Sequence, residues 1–128
     1  MKTPYKLTVV AVASALLGAT AATTMLHAQS TAPAYIVVEI QVTDPEPMKQ
    51  YSPKAAALIE SLGGRFVARG GKVEVLEGEP PAGRVAIVQF PSMERAQQFW
   101  NSPAYREIAP IRHKAAKTRS FLVEGVAP

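Results

Sequence analysis

RVAIVQF (residues 84–90), running straight into PSMERAQQFW (residues 91–100), is the stretch on which the fold turns. Its first seven residues are the most strongly apolar strand-like run of the chain, and such a run suits a central strand. Pro91 and Ser92 end it. Ser92 is placed to cap a helix with its hydroxyl, and Glu94 falls in the first turn, where the helix dipole favours an acid. Met93, Ala96, Phe99 and Trp100 recur at helical spacing and can share a buried side. A strand followed at once by a capped amphipathic helix predicts a β-α unit.

Downstream, Ser102-Pro103 offers a second helix start. Tyr105, Ile108 and Ile111 follow, until Pro110 and the basic Arg112-His113-Lys114 end the helix. Thr118 to Glu124 then reads as the last strand. Upstream, Gly78 to Gly83 is a loop by its glycine and proline content. Before it, Arg65–Arg69, Gly70-Gly71 and Lys72–Glu77 predict a hairpin-like unit, with the glycine pair supplying the turn. Asp44-Pro45 is an N-cap with proline at the first helical position, and Met48, Tyr51, Leu58, Ile59 and Leu62 fall at helical spacing behind it. Pro53 interrupts this run and predicts a kink or a short helix followed by a longer one. Gly63-Gly64 closes the element. The first strand is Tyr35–Val42, with Ile36, Val38 and Ile40 on one face and Tyr35, Val37 and Glu39 on the other.

The order β-α-β-(β)-β-α-β predicts an α+β fold, the ferredoxin-like split β-α-β with an antiparallel sheet and its helices on one face. The opposite face is half apolar and open, which in so small a domain predicts pairing with a second copy.

The amino terminus carries an address. Lys2 and Lys6 precede an apolar run from Leu7 to Leu17, and small residues follow from Gly18 to Ala22. This succession describes a secretory signal peptide, and the run falls short of the roughly 20 residues a membrane span needs. Cleavage fits after Ala21, within Ala19-Thr20-Ala21, or after Ala28, where polar Gln29-Ser30-Thr31 begins. With residues 1–28 as leader and 29–34 as linker, residues 35–125 form the domain. The product is expected to be periplasmic or secreted, without a stable membrane anchor. The chain has no cysteine, so its core holds the fold without disulfides.

Composition narrows the partners. The formal charge is +4 over the whole sequence. Loss of Lys2 and Lys6 leaves twelve Lys and Arg against ten Asp and Glu, a net of +2, and these charges are interspersed. Nucleic-acid binding calls for a concentrated basic patch, so no nucleic-acid partner is expected.

Gly63-Gly64-Arg65, Arg69-Gly70-Gly71, Leu76-Glu77-Gly78, Gln89-Phe90-Pro91-Ser92, Ser102-Pro103-Ala104-Tyr105 and Arg112 together resemble the signature of the family catalogued as domain of unknown function 1330. The resemblance spans Tyr35 to Gly125 and rests on the order and spacing of these motifs. It implies membership of the dimeric α+β barrel superfamily, in which two ferredoxin-like sheets pack face to face. Relatives there include small cofactor-free monooxygenases, muconolactone-isomerase-like proteins and haem-degrading or haem-binding enzymes. The family itself has no established activity. The leader is a departure from it, since many members lack one.

Nucleophilic catalysis finds little support: no serine sits in a G-x-S-x-G elbow, and the single aspartate, Asp44, reads as a helix cap. A metal site is not expected either, because the mature chain keeps one histidine, His113, against the two or three typical of zinc or non-haem iron sites. A haem would need only one axial ligand, but His113 reads more simply as a helix-end cation beside Arg112 and Lys114. No cofactor is therefore expected. The remaining constellation is Tyr51, Arg65, Arg69, Trp100, Tyr105, Arg112 and His113. Aromatics with polar tips and a few cations suit a pocket for a small anionic or phenolic molecule. In a catalytic pocket Tyr51 or His113 would handle protons, while Arg69 or Arg112 would hold the anion. The bland alternatives are core packing for Tyr51, Trp100 and Tyr105, and ion pairs with Glu39 or Glu124 for Arg65 and Arg69. Two classes of function follow: a cofactor-independent monooxygenase-like or isomerase-like enzyme, or a non-catalytic exported binding or stress-related module.

Overall fold

In a computed structural model that describes residues 31–128, four segments pair as one antiparallel sheet. They are β1 (Ala34–Val42), β2 (Arg65–Arg69), β3 (Arg84–Phe90) and β4 (Ala116–Glu124), in the order β2-β3-β1-β4. The expected signal peptide, residues 1–28, and its cleavage site lie outside the described residues. β1 is central, set opposite β3 from Ala34↔Phe90 to Ile40↔Arg84 and opposite β4 from Ala34↔Glu124 to Val42↔Ala116. The apolar strand β3 is the other central one, as its composition predicts.

Three helices follow the strands: α1 (Pro45–Ser61), α2 (Met93–Asn101) and α3 (Pro103–Ala115). α1 lies against α3, and α2 packs on β1, β3 and β4. The strand alternation decides what they cover. Ala34 and Ile36 of β1 and Ala86, Val88 and Phe90 of β3 are buried beneath them, while Tyr35, Val37 and Glu39 face the uncovered side. Phe90 is fully buried; removing such a side chain from water contributes about 1.5–3 kcal/mol. Its ring centroid is 5.4 Å from that of Phe99, which lies 4.6 Å from that of Tyr105. These rings tie β3, α2 and α3 into one core.

The helix ends follow the sequence. Asp44 accepts from the Glu46 N–H at 3.3 Å, and Ser92 accepts from the Arg95 N–H at 3.1 Å. Ser102 closes α2 and opens α3: its hydroxyl donates to the Phe99 carbonyl at 2.8 Å and accepts from the Tyr105 N–H at 3.1 Å. Gly63 leaves α1 with φ +83°, the left-handed geometry of a C-terminal cap.

Three expectations are corrected. α1 runs through Pro53 as one helix and not as a short helix followed by a longer one, and α3 runs through Pro110 and ends at Ala115, directly after the basic Arg112-His113-Lys114, so neither proline ends a helix. Proline lacks the N–H that would bond four residues back. Pro53 and Lys49, and likewise Pro110 and Arg106, are exposed, so water can satisfy the freed carbonyls. The third correction concerns Lys72–Glu77, which forms no strand. β2 pairs directly with β3, and the whole of Gly70–Gly83 is loop.

Candidate functional site

A cavity of about 160 Å³ lies between the helix-covered face of the sheet and the helices. A cavity of about 150 Å³ accepts benzene, so the space holds roughly one aromatic ring. Its floor is apolar, from Ile36, Val38 and Val88. Its polar groups arrive from the three helices, from the edge strand β2, and from Arg84 of β3 and Ser120 of β4.

α3 supplies two of them on one stripe. Tyr105, Ala109 and Arg112 fall at i, i+4 and i+7 and are all buried. Arg112 is only 4% exposed. Its guanidinium donates from Nη1 to Thr118 Oγ1 and from Nη2 to Tyr105 Oη at 3.3 Å. Nη2 also lies 3.3 Å from His113 Nε2; arginine has no acceptor, so the imidazole nitrogen accepts. The guanidinium carbon stands 5.9 Å from the Tyr51 ring centroid and 5.8 Å from that of Trp100. Among the described residues the ion pairs are Lys49–Glu46 and Arg119–Glu39. Arg112 is thus a buried cation with hydroxyl, imidazole and aromatic neighbours and no carboxylate. Keeping an ion out of water costs several kcal/mol when no counter-charge meets it.

α1 supplies Tyr51, whose hydroxyl is 2.9 Å from that of Tyr105. Burial, and after it the neighbouring Tyr105, push the Tyr51 phenol well above the usual tyrosine range, and the nearby Arg112 only partly opposes them. Tyr51 therefore stays a neutral O–H. The two tyrosines share one hydrogen bond between them, which leaves one phenolic proton available to a ligand.

β2 supplies Arg69 through a bulge. Phe66 pairs with Val88 and Ala68 with Ile87, so the register shifts between Phe66 and Ala68. Simple alternation would place Arg69 on the uncovered face with Arg65. The extra residue brings Arg69 opposite Ala86 instead, onto the helix side, where its guanidinium sits 4.2 Å over the Phe66 ring. Exposed at the rim, it lines the cavity together with Gly70 and Arg84.

Of the seven residues singled out from the sequence, Tyr51, Arg69, Trp100, Tyr105 and Arg112 line this one cavity. Trp100, expected on the buried side of α2, is 37% exposed and stands at its edge. Arg65 and His113 do not line it. Arg65 lies on the uncovered face and donates to Gln89 Oε1 at 2.9 Å. His113 is exposed and joins only through Arg112. Neither suggested ion pair forms among the described residues: Arg119 engages Glu39 through both ends of its fork, at 2.9 and 3.0 Å, and Glu124 on β4 lies at the opposite edge of the sheet from β2. Sequence reasoning missed Thr118 and Ser120. Their signal was available: both occupy even positions of β4, beside Leu122, where the alternation asks for apolar residues facing the helices.

The chain is similar in structure to RPA0582, a protein of unknown function from Rhodopseudomonas palustris, at TM-score 0.60 and 20% identity over 85% of this chain and 94% of that one. It is also similar to SnoaB, a cofactor-independent oxygenase from Streptomyces nogalater, at TM-score 0.56 and 13% identity over 77% and 97%. A hypothetical Arabidopsis thaliana protein, At3g17210, gives TM-score 0.52 and 14% identity over 78% and 92%. At these identities the likeness carries the fold, an α+β barrel-type domain. No curated protein matches the chain significantly. The model of the domain of unknown function DUF1330 matches residues 33–126, nearly the whole of the described chain, and the protein belongs to that family.

Proposed function

We propose that this domain binds a small anionic or phenolic molecule with one aromatic ring in the cavity between helices and sheet. The observation that carries the reading is Arg112, a buried guanidinium without a carboxylate partner, set beside two phenols in a ring-sized space. A ligand carboxylate or phenolate would supply the missing counter-charge. The proton that Tyr51 and Tyr105 leave unshared would donate to it, and Arg69 would hold it from the rim. Phe90 is not among the lining residues, so packing does not fill the space.

The same geometry favours catalysis over simple storage. Tyr105 lies within hydrogen-bond distance of both Tyr51 and Arg112, so the unshared phenolic proton and the guanidinium would converge on one ligand atom, the arrangement that stabilises a developing oxyanion or hands over a proton. Tyr51, held neutral by burial, acts as the proton donor in this reading. The fold likeness to a cofactor-independent oxygenase makes oxygenation of a phenol, or an isomerisation through an enolate, the reaction to try first. The alternative remains a non-catalytic binding module on the same frame.

The domain acts after export to the periplasm or medium, and it works as a homodimer joined through the uncovered sheet face. That face carries Val67, Phe121 and Val123, each nearly half exposed. Intact mass of the protein recovered from outside the cytoplasm should show a chain beginning at Ala22 or Gln29. An unprocessed chain retained inside would overturn the export reading.

Trp100 is the single tryptophan of the chain and stands at the cavity edge, so its fluorescence reports on occupancy. Titration with benzoate or phenol should change the emission saturably, and benzylamine, a cation of similar size, should not. Equal responses to all three, or none, would remove the anion-site reading. Oxygen uptake with bound catechol would separate the enzyme from the binding module.

A further inference from the structure

The loop between β2 and β3 holds a strand-like segment that pairs with nothing among the described residues. Lys72-Val-Glu-Val-Leu-Glu77 alternates like a β-strand. Yet every residue from Gly70 to Pro80 is exposed, including Val73 at 45%, Val75 at 48% and Leu76 at 91%. On the opposite edge of the sheet, β4 presents nine residues whose outer side is unpaired among the described residues, among them Phe121 at 48% and Val123 at 46%.

We propose that Lys72–Glu77 is an exchange arm that pairs antiparallel with the free edge of β4 in a second copy of this chain, adding a strand to that sheet. It rests on the pairing of two copies proposed above and specifies the contact. Complementarity fixes the register. With Val75 opposite Phe121, Val73 meets Val123, Lys72 meets Glu124 and Glu77 meets Arg119. Both valines then join the apolar uncovered face, and both charge pairs are of opposite sign. A slip of two residues one way sets Glu74 against Glu124, and the other way sets Val75 against Arg119. A slip of one residue turns the valines to the wrong face.

Reach decides between the chain's own edge and another's. From the Arg69 Cα to the Lys72 Cα, a fully extended chain covers at most about 11 Å. The position beyond β4 lies four inter-strand steps from β2, about 19 Å. The arm cannot fold back to its own β4. It leaves the sheet beside Arg69 and Gly70, which line the cavity, so its docking also fixes one wall of the site.

The absence of cysteine makes cross-linking clean. Val75→Cys with Phe121→Cys in one chain, and separately Val73→Cys with Val123→Cys, should give a disulfide-linked dimer on mild oxidation, because opposed residues in antiparallel strands stand within disulfide range. Mixing chains that carry only Val75→Cys with chains that carry only Phe121→Cys should link them to each other. Val75→Cys with Leu122→Cys should not link. A monomer containing an internal disulfide would overturn the exchange. Two folded double variants that fail to cross-link would overturn the arm contact, and would leave pairing intact where light scattering still reads a dimer. A monomer by scattering at micromolar concentration would overturn both.

Discussion

Replacing Arg112 with methionine is expected to weaken benzoate binding about tenfold to a hundredfold while leaving the free domain at least as stable. A charge-assisted hydrogen bond contributes about 1.5–3 kcal/mol, and the guanidinium is the one buried cation facing the cavity. Its own burial is unfavourable in the empty protein. Replacing a buried charge with an apolar side chain of similar volume is often neutral or stabilising, and methionine adapts to irregular space. The change leaves Tyr105 its bond to Tyr51 at 2.9 Å, while Thr118, Tyr105 and the exposed His113 each lose the hydrogen bond that Arg112 donates. Trp100 titration gives the affinity and a thermal melt gives the stability. A large fall in melting temperature with unchanged affinity would show that Arg112 holds the fold and not the ligand. The expected pattern, weaker binding at equal or higher stability, marks a residue kept for function at some expense to the fold.

The parts of the molecule that could be read from sequence are those where a local rule meets no competitor. Ser92, Asp44 and Gly63 sit where capping chemistry puts them, and β1 turns Ile36 and Tyr35 to opposite faces as its alternation requires. The rest depended on information a local pattern does not contain. Pro53 read as a kink or a break and Pro110 as a stop, but a proline on the watered side of a helix loses one hydrogen bond without ending the helix. Lys72–Glu77 has strand propensity in full and lacks only a neighbour, which no property of the segment itself can reveal.

The site divides in the same way. Residue chemistry brought Tyr51, Tyr105 and Arg112 onto one list, but not their mutual contact, which joins residues 54 positions apart. Arg112 looked like the first of three helix-end cations. It does stand in the last turn of α3, but its phase with Tyr105 and Ala109 turns it inward while His113 and Lys114 stay exposed. Arg69 reached the cavity for a reason invisible in alternation: the bulge at Val67 moved it across the sheet. The residues most useful to chemistry are thus the ones that break a local rule, as functional sites tend to do.

Gly83→Ala is expected to be the most damaging small substitution in the domain, lowering stability by about 2–5 kcal/mol. Two costs add. Gly83 has φ +84°, a left-handed conformation that costs a residue with a Cβ about 1–2 kcal/mol. The added methyl would also meet the Ile40 carbonyl oxygen at 2.2 Å, its carbon at 2.7 Å and the Gln41 Cα at 2.9 Å. These are backbone atoms of the central strand, so no side chain can swing away, and forced overpacking typically costs a further 1–3 kcal/mol or more. For a domain of this size each kcal/mol shifts the melting temperature by roughly 4–8 °C, which predicts a fall of about 8 °C or more. Gly78→Ala is the internal control. Gly78 has φ +79°, but a Cβ there would meet nothing within 4 Å, so only the backbone term applies and the fall should be less than half as large. Equal shifts for the two variants would mean that the close approach of Gly83 to β1 is not the governing cost. Where the clash governs, the damage also reaches the site. Arg84 opposes Ile40 in the register and lines the cavity beside Arg69. Any variant protein that still folds should therefore bind benzoate more weakly, whereas the Gly78 variant should bind it normally.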